Sequence, residues 1–329
     1  MNIVPLTTTL KNWFIGVPTR PAVSPDLVDW ARPRRLLGLL YHIQSDLNES
    51  NYIECQSAWL RNQASHLLRL KILAEIWPSD WALPVAIKGT DYIENLYGDP
   101  GARWCADMDL LIPATQLSSL GERLGQLYPD RVHERPLGRA KNATGQVQLK
   151  IDEMLFEFHS QPGPDHFVGQ WANDIIARSQ PGQDESSHLR FPSAVDRLCI
   201  WLVNQSKTRF VDGLCALIDF AMIVRAISRE GKLALEKAEQ TIHQRRLENA
   251  FHLAIYRLRL MGISSYPHPI DTGPLHAFMN RFTVGESAPV VIPGRLRQEA
   301  LKFWLCPAHN RPKYVTYSMT RLAEVLGFR

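Results

Sequence analysis

Apolar residues recur every three or four positions over residues 51–77 (NYIECQSAWLRNQASHLLRLKILAEIW), which predicts a long amphipathic helix. Residues 25–44 carry a similar pattern, opening on Pro25 and Asp26 and breaking or kinking at Pro33, whose ring cannot sit in a helix interior. The preceding residues hold no such period and read as an irregular lead-in. After Pro78 and Pro84 the period shortens. LPVAIKG (83–89) reads as a short β-branched strand ending at Gly89, TDYIENLYG (90–98) as a brief helix, and DMDLLIP (107–113) as a second strand closed by Pro113. Residues 114–128 return to helical spacing. QVQLKIDEMLFEFHS (146–160) gives two strand-like runs joined by a hairpin turn at IDEM. SQPGQDESSH (179–188) is a loop by composition. From Phe191 the chain reads as helix to the end, over 191–207, 214–227, 233–262, 273–282, 294–305 and 317–327.

The expected fold class is therefore α+β, a small mixed sheet with helices packed on it and helical regions on either side. The corresponding divisions are an N-terminal helical region over 1–80, a mixed-sheet core over 81–190 and a C-terminal helical domain over 191–329. No repeat of fixed period and no low-complexity tract interrupts this layout.

Composition changes the picture little. A chain of 329 residues with 45% hydrophobic and 21% charged content has enough apolar surface for a core without covalent staples. A formal charge of +4 suits an anionic ligand such as a nucleotide, and no Lys/Arg block marks a nucleic-acid tail, so nucleic acid is compatible but not indicated. Five scattered cysteines, an odd number without a C-x-x-C pair, argue against a disulfide framework and for a reducing cytoplasm. No apolar run approaches a membrane span and no secretory leader is visible at the N-terminus, so a cytoplasmic protein without a membrane partner is expected.

Chemistry enters at ARWCADMDLLI (102–112). In an extended Asp107–Ile112 segment, Asp107 and Asp109 project from one face and Met108 and Leu110 from the other. Two like charges side by side are tolerated when water screens them or a cation sits between them, and hard carboxylate oxygens suit Mg²⁺. A D-x-D pair by itself commonly marks only a strand that begins at a solvated turn. Two neighbours add weight: Gly89 ends a strand just before a helix, where backbone N–H groups can receive phosphate oxygens, and MLFEFHS presents Glu157 on an alternating strand.

These residues together resemble the bacterial branch of uncharacterised nucleotidyltransferases within the polymerase-beta-like nucleotidyltransferase superfamily. The similarity runs through Lys88-Gly89, Tyr97, Arg103, Asp107-Met108-Asp109-Leu110-Leu111, Glu157-Phe158-His159 and the helical pair containing Asp219, about residues 85–225. Thr90 stands where the wider superfamily has Gly or Ser, and Glu157 where Asp is commoner.

The resemblance implies an Mg²⁺-dependent transfer of NMP from a nucleoside triphosphate to a hydroxyl or phosphate acceptor, a small molecule or a natural-product peptide. Asp107, Asp109 and Glu157 would be the metal ligands and catalytic acids. Glu157 would take the acceptor's proton, and Lys88, Gly89, Thr90, Arg103 and His159 would bind substrate. Each residue also has a plainer role. Lys88 could be a solvated strand end, Arg103 a partner of Asp99 or Asp107, Glu157 an exposed edge position, His159 a structural hydrogen bonder and Asp219 a cap or the buried partner of an Arg or Lys. Nothing in the sequence activates Cys105, and His243, His252 and Trp201 show no ligand spacing. Two alternatives stay open: a catalytically silent nucleotide- or peptide-binding accessory protein, and group transfer from a nucleotide-activated sugar.

Overall fold

The computed structural model describes residues 25–43, 49–130, 132–135, 146–163, 171–182, 188–208, 213–260, 304–306, 311–312 and 314–315. Helix α1 (Pro25–Ala31) runs into a 3₁₀ turn at Arg32–Arg34, the break demanded by Pro33, and α2 (Leu37–Ile43) follows. Next come the long α3 (Glu49–Ile76), β1 (Val85–Ile87), the one-turn α4 (Gly89–Tyr92) and a π-helical turn over Ile93–Tyr97. Then follow β2 (Asp107–Leu111), α5 (Ala114–Leu127), β3 (Val132–Arg135), β4 (Gln146–Ile151), β5 (Met154–His159), α6 (Ala172–Arg178), β6 (Gln180–Pro181) and β7 (Arg190–Phe191). The described part of the C-terminal half is helical: α7 (Ala194–Thr208), α8 (Gly213–Arg229), α9 (Lys232–Gln244) and α10 (Glu248–Leu260). The helices expected over 273–282 and 317–327, and most of that over 294–305, lie outside the described residues.

Among the described residues seven strands form one mixed sheet in the order β3-β4-β5-β2-β1-β7-β6, in accord with the expected α+β class. β2 runs antiparallel to β1 and parallel to β5, and β4 is antiparallel to β5. The β4–β5 turn falls on Asp152 and Glu153, both at positive φ, the left-handed backbone that matches the twist of a two-residue hairpin. Three short strands were not visible in the hydrophobic pattern. β3 has too few alternating positions to stand out, and β6 and β7 are two residues each inside and just after the stretch read as a loop. Their pairing comes from neighbours, Val85 with Arg190 and Gln180 with Phe191.

The two faces of the sheet are packed differently. Met108, Leu110, Phe156 and Phe158 turn to the face covered by the end of α3 (Ile72, Leu73, Ile76) and by α5 (Leu117, Leu120, Leu124), all buried. Side chains of this size contribute about 1.5–3 kcal/mol each when fully buried. On the other face Val85, Ile87 and Leu111 meet Ile175 of α6 and Ile200 of α7. A larger apolar cluster joins α1 and α2 to α7–α10, with Trp201 stacked on Phe220 at 4.6 Å between ring centroids. No described helix is long and apolar enough to cross a membrane.

A polar stripe on α3 holds the segment that leads into β2. Trp59, Asn62, His66 and Arg69, spaced three or four residues apart, share one side of the helix. Trp59 Nε1 donates to Asp99 Oδ1 (2.9 Å) and Asn62 Nδ2 to the Gly101 carbonyl (2.9 Å). His66 Nε2 lies 2.5 Å from Glu94 Oε1, and Arg69 Nη2 donates to the Ala106 carbonyl (2.9 Å). Gly101 must be glycine here, because a Cβ would lie 2.2 Å from the Trp59 indole nitrogen.

Candidate active site

The parallel pairing of β2 with β5 sets Asp109 directly opposite Glu157 and Leu111 opposite His159. Paired residues on neighbouring strands project to the same face, so Asp107, Asp109, Glu157 and His159 share one side of the sheet while Met108, Phe156 and Phe158 fill the other. One ligand atom each from Asp109, Glu157 and His159 lie within 4.8 Å of one another. His159 Nε2 is 2.8 Å from Asp109 Oδ1 and 3.5 Å from Glu157 Oε2, which seats the imidazole between the two carboxylates. Gln148, opposite Glu157 on β4, donates from Nε2 to Glu157 Oε1.

Lys88 reaches the same group from the end of β1. It adopts φ 58°, ψ −124°, a sparsely populated backbone for a residue with a side chain, and its Nζ lies 2.5 Å from Asp109 Oδ1. It is therefore not a solvated strand end: its side chain is 17% exposed. Next to it, Gly89 allows a close approach. A Cβ at this position would lie 2.2 Å from Cys105 Sγ, whose thiol donates to the Asp107 carbonyl (2.8 Å).

Electrostatics separates the acids. Burial pushes Asp107 above the ordinary carboxylate range, and the neighbouring charge of Asp109 pushes the same way against the pull of Lys88. For Asp109 burial acts upward too, but the Lys88 ammonium and the hydrogen bond from His159 outweigh it and hold the group well below that range. Glu157 also ends low, since His159 offsets the cost of burial. Lys88 stays charged and is held above its usual range, because Asp109 outweighs the desolvation that would lower it.

Asp107, Asp109, Glu157, Lys88, Gly89 and Arg103 all line a cavity of about 720 Å³. Thr90 does not line it among the described residues; it is 1% exposed, tucked into the first turn of α4. Arg103 is committed elsewhere. Its Nε and Nη2 donate to Asp219 Oδ1 and Oδ2 at 2.9 and 2.8 Å, and the Tyr97 hydroxyl donates to Asp219 Oδ1 at 2.9 Å. Asp219 is thus the buried partner of an arginine, one of the plain roles expected for it, while Arg103 pairs with neither Asp99 nor Asp107 through these nitrogens.

Six residues in or behind the cavity wall had no signal in the sequence. Arg197 of α7 donates to both oxygens of Asp91 (2.6 and 2.7 Å), a buried pair that anchors α4 to the helical half. Asn204, Lys207 and Thr208, at the end of α7, line the cavity, and so do Arg34 and Arg35 from the break between α1 and α2. These residues lie far along the chain from the acids, so no local spacing connects them.

Two anionic oxygens and an imidazole nitrogen gathered this closely, already holding the ammonium of Lys88 against Asp109, form a donor set that fits a divalent cation. Comparison with curated proteins and with solved structures found no match. One family model, described as an uncharacterised nucleotidyltransferase, matches residues 22–261, and the chain belongs to that family.

Proposed function

We propose that the protein transfers a nucleoside monophosphate from a nucleoside triphosphate to a hydroxyl or phosphate acceptor, a small molecule or a peptide, and that the reaction depends on Mg²⁺ or a similar divalent cation. The observation that carries this reading is the Asp109–Glu157 register, which brings carboxylates from two parallel strands together at a cavity whose wall also carries basic groups. Asp107, Asp109 and Glu157 would hold one or two cations, with His159 as an added nitrogen donor. A cation bound there supplies charge neutralisation for the triphosphate and acidifies the acceptor's hydroxyl.

The chain's own residues divide the remaining work. Glu157 would accept the acceptor's proton, a role supported by Gln148 holding Oε1 while Oε2 lies toward His159. Lys88 would exchange Asp109 for a phosphate oxygen on nucleotide binding, moving positive charge onto the pyrophosphate leaving group. Gly89 keeps the wall thin enough for a phosphate to approach backbone. Arg103, paired charge for charge with Asp219, would offer its guanidinium to a phosphate at the cavity wall without leaving its partner. The Lys88–Asp109 contact is also what a silent accessory protein would display, so turnover decides between the two readings.

The test is to incubate the full chain with each α-labelled nucleoside triphosphate, Mg²⁺ or Mn²⁺, and a panel of hydroxyl- and phosphate-bearing acceptors, and to read label transfer and mass shift. Transfer of the α-labelled group supports the proposal. Cation-dependent binding without transfer to any acceptor supports the accessory reading, and transfer of a sugar from a sugar nucleotide replaces the reaction with glycosyl transfer.

A further inference from the structure

One side chain in the cavity wall is out of character. Trp104 is 38% exposed, whereas every other exposed large hydrophobic side chain among the described residues is aliphatic. It lines the cavity that contains Asp107, Asp109 and Glu157, and it belongs to none of the three apolar clusters. Its backbone is held on both sides. Arg103 is locked to Asp219 and also donates from Nη1 to the Trp104 carbonyl (3.2 Å), while Cys105 is tied to the Asp107 carbonyl.

Arg35 lies on the indole, its Cζ 3.5 Å from the ring centroid. Arg35 is the left-handed cap of the 3₁₀ turn, φ 59° and ψ 34°, its N–H donating to the Arg32 carbonyl (3.1 Å), and its side chain reaches the indole from there. Core packing does not explain the arrangement, since water reaches both partners. A guanidinium laid on an indole makes a flat, polarisable and positively charged surface. A planar aromatic ring carrying an anionic chain complements it, and a nucleobase with its phosphates is such a ligand.

We propose that Trp104, backed by Arg35, is the stacking surface for the base of the bound nucleotide, with the phosphates directed toward Lys88 and the acids. The inference rests on reading the cavity as a nucleotidyltransferase site. It further implies weak discrimination among nucleobases, because stacking uses a π face that every base has, with purines favoured by their larger rings.

Equilibrium binding to the full chain in Mn²⁺ tests it, with ATP, CTP and inorganic triphosphate as probes. The wild-type chain is expected to bind ATP about 5- to 150-fold more tightly than triphosphate, the range that base stacking supplies. Trp104→Ala is expected to reduce ATP to the affinity of triphosphate and leave triphosphate unchanged. Trp104→Phe should retain most of the difference, and Trp104→Leu, which keeps apolar bulk without a π face, should lose it. Unchanged ATP affinity in Trp104→Ala, equal ATP affinity in the Leu and Phe variants, or equal wild-type affinity for ATP and triphosphate would each overturn the stacking role while leaving the acidic site standing. Absence of cation-dependent binding by any probe would instead remove the nucleotidyltransferase reading, and this inference with it.

Discussion

Two sets of carboxylates on neighbouring elements are neutralised in opposite ways. Asp91 and Asp219 each receive two hydrogen bonds from one arginine, Arg197 and Arg103, in fork-to-fork geometry. Asp107, Asp109 and Glu157 share a single ammonium, from Lys88, and one imidazole. The first set is matched charge for charge and ties α4 and the loop before β2 to α7 and α8. The second is an excess of negative charge held on rigid strands, which invites a cation from solution. On the proposed function, matching separates carboxylates that hold the fold from those that would bind the cation.

The largest test of this contrast removes a matched partner. Arg197→Met leaves Asp91 buried without its counter-charge and is expected to cost about 3–5 kcal/mol in urea unfolding, whereas Asp91→Leu combined with Arg197→Met recovers most of the loss. A small effect of the single variant would deny that the pair carries structure. At the unmatched set the expectation is reversed. Asp107→Asn and Glu157→Gln should reduce nucleotidyl transfer by about 10²–10³-fold while shifting the melting temperature by only a few degrees. Unfolding of either variant would place these acids with the structural ones.

A smaller effect tests the wall between the two sets. Gly89→Ala drives a methyl group into Cys105 Sγ and should destabilise by about 1–3 kcal/mol, with partial recovery in Gly89→Ala/Cys105→Ala, because the Cys105 Cβ itself lies at an ordinary 3.6 Å. Failure of the second substitution to help would show that the strain lies elsewhere.

The smallest effect is a matter of pH. Asp107 titrates above its unfolded value of about 3.9, so the folded chain binds that proton more tightly than the unfolded chain. Its charge is then a cost at neutral pH, and the cost disappears as pH falls through the raised folded pKa. Asp107→Asn should accordingly raise the melting temperature at pH 7 by a degree or two, with the gain closing on acidification. Asp109 and Glu157 have the opposite sign. Their contribution is present above the unfolded carboxylate values and is lost as pH falls through their depressed folded values. A gain for Asp107→Asn that widened at low pH would reverse the assignment.

Much of the site was legible before any fold was known. The alternation in DMDLL put Asp107 and Asp109 on one face and that in MLFEFHS presented Glu157 between two phenylalanines, because period-2 projection is a property of the strand alone. Spacing also located the turn at Asp152–Glu153 and the helices around the sheet. What escaped was held by distant residues. Lys88 was read as a phosphate ligand or a solvated strand end, and its contact with Asp109 depends on the β1–β2 register and on an unusual backbone angle that no sequence period announces. Arg103 was read as a phosphate ligand or a loop-fixing partner of a nearby acid, and its committed partner lies 116 residues away. The short strands β6 and β7 were hidden because two residues carry no period.

The sequence by itself therefore determined which side chains share a face, since that follows from the local geometry of strands and helices over a few residues. Only the tertiary structure decided which charges neutralise which. A counter-ion acts through space at a few ångströms, and the contacts of Arg197 with Asp91 and of Lys88 with Asp109 form only when strand register and helix packing bring separate parts of the chain together.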